Sequence, residues 1–224
     1  MPQPTVLYGA SGLPIQVDPT HQAARVSVRP MELLGSYSIA ALSGIVAAGQ
    51  AANSPVFAFR WAPVDTTRIA LVRKLRFTCG NLGTAFTAGG VTIAAFVARA
   101  FTVQDTGGAT ALTTSGNNQK RRTSMAASAL VAGQVLVSGT GVLTAGTRTK
   151  DANAFATLTT AVPNVAGSVV VPQPGYLIDP TEAGKYPQVL AVNEGIIIQA
   201  TVPATGTWTF AVDMDWDEAL PSIF

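Results

Sequence analysis

Near the end of the chain Asp213, Asp215 and Asp217 alternate with Met214 and Trp216, and Glu218 follows. Side chains two apart on a strand share a face at a spacing of roughly 6.6 Å, so these carboxylates form a row that repels itself unless something answers its charge. Three chemistries suit such a row: hard oxygen ligands for a cation, an acidic patch for a basic partner, or a solvated edge that keeps strands from mispairing. The strongest basic cluster is Lys120, Arg121 and Arg122, directly after SGNNQ. It suits a phosphate or an acidic surface, or it is a solvated loop tip. Arg25 and Arg29 flank Val26 and Val28 in RVSVRP. The two arginines share a face, and a planar guanidinium pairs well with carboxylates at interfaces. These eight residues are the candidate interface set.

Catalysis finds less material. A nucleophile needs a base and an orienting group, and the only histidine, His21, sits in a proline-rich segment poorly suited to hold a base. The only cysteine, Cys79, ends an apolar run and reads as a small buried hydrophobe. One cysteine gives no disulfide framework and no cysteine-based zinc site. No GxxxxGK[ST] loop occurs, and no GxGxxG opens a helix after a strand. The expectation is no enzyme, no cofactor and no resident metal. A net charge of +2 is too small an excess to suggest a nucleic-acid or membrane partner.

The elements that must position these residues are strands. In TWTFAVDMDWDE, Trp208, Phe210, Val212, Met214 and Trp216 fall on one face and form the predicted core stripe; Thr207, Thr209, Ala211 and the three aspartates fall on the other, a wet face. GIIIQATV precedes it, and the PATG link predicts a hairpin between the two. Strands are also predicted at VFAFRW (56–61), TRIALVRKLRFTC (67–79), VTIAAFVARAFT (91–102), QVLVSG, SVVVPQ and YPQVLAV. The run at 91–102 is apolar on both parities, as for a strand covered on both sides. Arg73 shares parity with Ile69, Leu71, Leu75, Phe77 and Cys79, so it marks a sheet rim or has a buried partner. Many short strands between Thr-, Gly- and Ala-rich connectors predict an all-β protein, a β-sandwich of jelly-roll type. Residues 1–31 read as an extended N-terminal arm, with the sandwich domain at 32–224. Residues 32–54 are the best candidate for a short helix or linker, although Gly35, Gly44 and Gly49 each cost about 1 kcal/mol inside a helix.

Charged residues are 12% of the chain, about half of the roughly 25% typical of soluble domains. Stretches free of Asp, Glu, Lys and Arg, such as 33–59 and 152–178, are broken by polar residues, Gly or Pro at short intervals, unlike a membrane-spanning helix. The N-terminal MPQPTVLYGASG lacks the basic start and apolar run of a secretory signal. A surface this poor in charge predicts association, as a homo-oligomer or a subunit of a larger assembly.

The arm VLYGASGLPIQVDPTHQAARVSVRP, the block SPVFAFRWAPVDTTRIALVRKLRFTCGNLGTAFTAGG, the pieces VARAFT, GNNQKRRTSM and LTAGTRT, and the ending PQVLAVNEGIIIQATVPATGTWTFAVDMDWDE resemble structural proteins of tailed-bacteriophage virions. The resemblance implies a particle component: a capsid decoration or cement protein on the outer shell, of jelly-roll fold and often trimeric, partnered by the major capsid protein or another virion protein. It also accommodates a tail, neck or fibre component involved in host attachment. A glycan depolymerase has the least support. The implied location is the exterior of the virion, after synthesis in the host bacterial cytoplasm.

Overall fold

The computed structural model describes residues 34–48, 54–87, 89–162, 175–181 and 187–221. The arm, with His21, Arg25 and Arg29, and the SVVVPQ stretch lie outside the described residues.

Among the described residues thirteen strands form two antiparallel sheets. In the first, β1 (Gly35–Leu42), β13 (Thr207–Ala219), β4 (Ile69–Thr84) and β10 (Tyr176–Ile178) lie side by side, with β2 (Val46–Ala47) pairing β13 and β11 (Gln188–Leu190) pairing β4. In the second the order is β6 (Ala109–Ala111), β7 (Val135–Ser138), β3 (Ser54–Trp61), β12 (Glu194–Thr201), β5 (Gly89–Val103) and β8 (Thr147–Lys150), with β9 (Ala156–Val162) also on β5. The pairs are nested: β1 with β13, β3 with β12, β4 with β10 and β11, β5 with β8 and β9. A ribbon folded back on itself and then rolled so that successive pairs alternate between sheets gives this connectivity, which is the jelly roll. Strands β6 and β7 are an insertion between β5 and β8 that widens the second sheet.

Alternation builds the core. Trp208, Phe210, Val212, Met214 and Trp216 are each at most 1% exposed. They meet Tyr37 and Ile39 of β1, Phe57, Phe59 and Trp61 of β3, Leu75, Phe77 and Cys79 of β4, and Ile196 and Ile198 of β12. Trp216 stacks on Tyr37 at 5.3 Å between ring centres and tilts against Phe59 at 5.7 Å. The run at 91–102 is covered on both sides from Ile93 to Ala98, whereas Arg99, Ala100 and Thr102 are exposed. Val91, Ile93, Ala95 and Val97 face the core. Ala98 and Phe101 join Ala58, Leu136, Leu143 and Ile197 in a second apolar cluster. Ala100, at φ 43°, breaks the alternation between those two residues.

Three local expectations fail. Residues 35–42 are strand β1 and not a helix. Tyr37 and Ile39 are buried and alternate with more open serines and alanine, so one face of a strand can be buried where the glycine-interrupted stretch gives no helical stripe. PATG does not close a hairpin: β12 pairs β3 and β5, whereas β13 pairs β1 and β4. Each strand is central in its own sheet, so the link, with Gly206 at φ 108°, carries the chain across the sandwich. The parity of β4 is also not continuous. Its register against β13 shifts between Asp215 and Trp216, leaving Arg73 and Lys74 both outside. Leu75, Phe77 and Cys79 therefore face the core, while Ile69 and Leu71 lie in a small separate cluster with Ala219.

Candidate functional site

The predicted acidic row lies on the outer face of the first sheet, and it is not wet. Strand β13 has a neighbour on each side, so its aspartates are flanked from both. On β4, Arg76 stands opposite Asp213 and Lys74 opposite Asp215. The bulge brings Arg73 beside Asp217. On β1, Ser38 stands opposite Asp215 and Ser36 opposite Asp217. Arg76 Nε donates to Asp213 Oδ2 at 2.7 Å, Arg73 Nε donates to Asp217 Oδ2, and Lys74 Nζ lies 3.5 Å from Asp215 Oδ2.

A fourth cation comes from the basic cluster. The long β6–β7 connection runs along the free edge of β1, where the amide of Ser38 donates to the carbonyl of Gln119 and the amide of Arg121 to that of Ser36. This places Arg121 Nη2 2.5 Å from Asp215 Oδ2. Two regions proposed from sequence as separate contact surfaces thus meet each other. Lys120 turns to Asn117, its ammonium 3.1 Å from the side-chain oxygen, and Arg122 is exposed. The carboxylates a cation would need are taken by arginine and lysine, and among the described residues no group of three or more His, Cys, Asp or Glu is placed to hold a metal. The solvated-edge reading fails because β13 is interior to its sheet.

Asp215 shows the balance of forces. Burial alone would raise its pKa, but the Ser38 hydroxyl, the hydrogen bond and charge of Arg121 and the charge of Lys74 together hold it below the usual carboxylate value. A depressed folded value means that the stabilisation is complete above the unfolded value and is lost as pH falls through the folded one. Asp215→Asn should therefore flatten the acid limb of a Tm-against-pH curve below about pH 4. An unchanged limb would show that the pairing does not bias folding.

The row ends in a buried clasp. Glu218 has no exposed surface; its carboxylate accepts from Arg68 at 3.0 Å, from the Ser128 hydroxyl at 2.6 Å and from the Ala129 amide at 3.0 Å. One side chain thereby joins the end of β13 to the β3–β4 loop and to the β6–β7 connection. Tyr37 lies beside it, and its phenol is pushed up to about 12, chiefly by burial and then by the charge of Glu218. At the second sheet Arg148 pairs with the buried Asp105, and Arg60 donates to the carbonyl of Phe101 and to the side chains of Gln134 and Asn193.

Cys79 is buried in the core, and desolvation pushes its thiol up to about 12. Only a thiolate reacts quickly. An aromatic disulfide reagent at about pH 8 should leave Cys79 unlabelled in native protein and label it completely once denaturant is added. Labelling of the native state on the scale of minutes would overturn this placement.

Sequence reasoning allowed Arg73 a buried partner, which Asp217 is, but it did not foresee that Arg73, Lys74 and Arg76 together answer the aspartates. The signal was present in RKLR of β4 set against DMDWD of β13, but pairing it required knowing that these strands are neighbours. Large apolar side chains that remain open include Leu42 and Ile45 around the β1–β2 turn, Val64 and Val131 on two paired segments, and Leu34 and Leu220 near the end of β13.

The nested pairing defines the class of protein as a jelly-roll β-sandwich. No protein-family model matches the chain, and no curated protein matches it in sequence. Among solved structures it is similar to VP1 of Trichodysplasia spinulosa-associated polyomavirus, with 10% identity, a TM-score of 0.33, and coverage of 84% of this chain and 98% of that one. A likeness at this level carries no argument about what the protein does. No helix among the described residues is long and apolar enough to cross a membrane.

Proposed function

We propose that this protein is a non-enzymatic structural component of a tailed-phage virion, a decoration or cement protein bound to the outside of the capsid shell as a homo-oligomer. The observation that carries the reading is the use made of charge. In this jelly roll the arginines and carboxylates tie strands and loops to one another, as in the Arg76–Asp213, Arg121–Asp215, Arg68–Glu218 and Arg148–Asp105 pairs. Among the described residues they do not converge around a cleft as an acid, a base and a nucleophile would. The open Leu42, Ile45, Val64 and Leu220 provide apolar surface for association. The sequence resemblance supplies the particle. A decoration protein acts by mass action: it binds the assembled shell and not its separated subunits, and many weak contacts on one particle sum to a large stabilisation.

The test is copy number in purified virions by quantitative mass spectrometry, with light scattering of the free protein for oligomeric order. Hundreds of copies per particle and a trimer in solution are the expected results. A handful of copies would move the protein to the tail, neck or fibre, and its absence from particles would end the reading. Release of reducing sugar from host polysaccharide by the pure protein would overturn the non-enzymatic assignment.

A further inference from the structure

We propose that the outer face formed by β1, β13 and β4 docks an acidic protein surface, with Arg73, Arg76 and Arg121 making the contact. The chemistry of the face stands on the fold alone; that the partner belongs to a virion rests on the function proposed above.

The face has two charged layers. The carboxylates lie beneath: the side chains of Asp217, Asp215 and Asp213 are 4%, 12% and 18% exposed. The guanidiniums lie above: Arg73, Arg76 and Arg121 are 46%, 44% and 49% exposed. Solvent therefore meets the cations. Among the described residues the ladder and its flank hold Arg73, Lys74, Arg76, Lys120, Arg121 and Arg122 against the three aspartates of β13 and Asp179, which follows β10 where that strand pairs β4. The carboxylates beneath neutralise part of that charge and also fix where each guanidinium sits.

That arrangement suits docking better than free surface arginines would. A guanidinium carries five N–H donors. Arg73 uses its Nε on Asp217 and Arg121 one Nη on Asp215, so donors remain for an incoming carboxylate. Holding a long side chain in one rotamer costs conformational entropy on binding. Here the buried aspartates have already ordered the side chains before the partner arrives. The aspartates beneath stand roughly 6.6 Å apart, while the bulge leaves Arg73 and Arg76 three residues apart on β4, roughly 10 Å, a span that an acidic protein surface covers with separate carboxylates. A phosphate backbone fits less well. It needs a broad positive excess, and the whole chain carries only +2.

The experiment uses the full-length protein and three probes: a peptide alternating glutamate and threonine, its glutamine counterpart, and an oligothymidylate of equal charge. Binding is followed by calorimetry at low and at physiological salt. The glutamate peptide should bind and weaken with salt, and the glutamine peptide should not bind. The double variant Arg76→Gln with Asp213→Asn removes a cation together with its carboxylate, so no buried charge is stranded; it should weaken binding by about fivefold. Lys120→Glu with Arg122→Glu touches no buried pair and should weaken it at least as much, which keeps the test open if the first variant folds poorly. Undiminished binding by folded variants, or tighter binding of oligothymidylate than of the glutamate peptide, would overturn the proposal. Retention of the variants on virions separates the two readings. A protein that is present on particles and indifferent to these changes sinks the docking face alone. A protein absent from particles sinks the virion role and leaves the peptide result to decide the face.

Discussion

Replacing Arg68 with methionine should cost about 3–5 kcal/mol of folding stability, because it strands a carboxylate that has no access to water. Glu218 is fully buried, and once Arg68 is gone its remaining donors are the Ser128 hydroxyl and the Ala129 amide. Neither carries charge. The reciprocal change is milder. Glu218→Gln leaves Arg68 partly exposed and still paired with Asp65 at 2.9 Å, and the amide keeps an oxygen that can accept from Ser128 or Ala129. About 1–2 kcal/mol is expected there, the cost of a weakened hydrogen-bond set. For a domain of this size each kcal/mol moves Tm by about 2–4 °C, so the first variant should melt roughly 10 °C below wild type and the second a few degrees below. The ranking is the test. If Glu218→Gln proves as damaging as Arg68→Met, then the buried carboxylate does not depend on Arg68 for its compensation.

The clasp also marks where reading the sequence stops. Glu218 follows the aspartates by one residue and reads there as one more acid of the row. Its role comes from long-range neighbours: Arg68 is 150 residues away and Ser128 is 90. Alternation within a strand says which side chains share a face, and it correctly placed the Trp208–Trp216 stripe in the core; the two-sided cover expected of 91–102 holds from Ile93 to Ala98 and ends at the exposed Arg99. It says nothing of which strand lies beside which. The PATG link shows the cost of that gap. Turn chemistry marks a change of direction, yet the same residues serve a crossing between sheets when both flanking strands already have two partners. Arg73 shows a second gap. A single bulge reverses parity, so Ile69 and Leu71, two strand positions before it, leave the core face that Leu75 and Phe77 occupy. The jelly roll itself was legible as a class because short alternating strands recur between turn-rich connectors. Its nesting was not, because nesting is a property of register. The candidate site divides in the same way. Arg121 and the three aspartates were identifiable as residues seeking opposite charge; that they satisfy each other within one chain follows from the path of the β6–β7 connection along β1.

One added methyl group should be as damaging as the loss of a buried ion-pair partner. Gly195 opposes Arg60 of β3 and Ala98 of β5, so it sits on β12 between two strands. A Cβ built there collides with the carbonyl oxygen of Phe59, lies 2.9 Å from Cδ1 of Phe101 and 3.1 Å from Cα of Arg60. Two of these three atoms belong to backbone in the middle of the second sheet, which cannot swing aside as the end of a flexible side chain can. Relief requires β3 and β12 to separate, and their pairing supports the nested order of the whole ribbon. Gly195→Ala should therefore cost about 3 kcal/mol or more, the upper end for overpacking. Gly90 on β5 supplies the comparison, since a Cβ there meets nothing within 4 Å. Gly90→Ala should be neutral or stabilise by up to about 1 kcal/mol, because alanine restricts the unfolded chain. Urea unfolding of the two variants gives the sign and size of each effect. A Gly195→Ala midpoint within error of wild type would mean that β3 and β12 are not held at the spacing described, and the nested pairing of the second sheet would have to be redrawn.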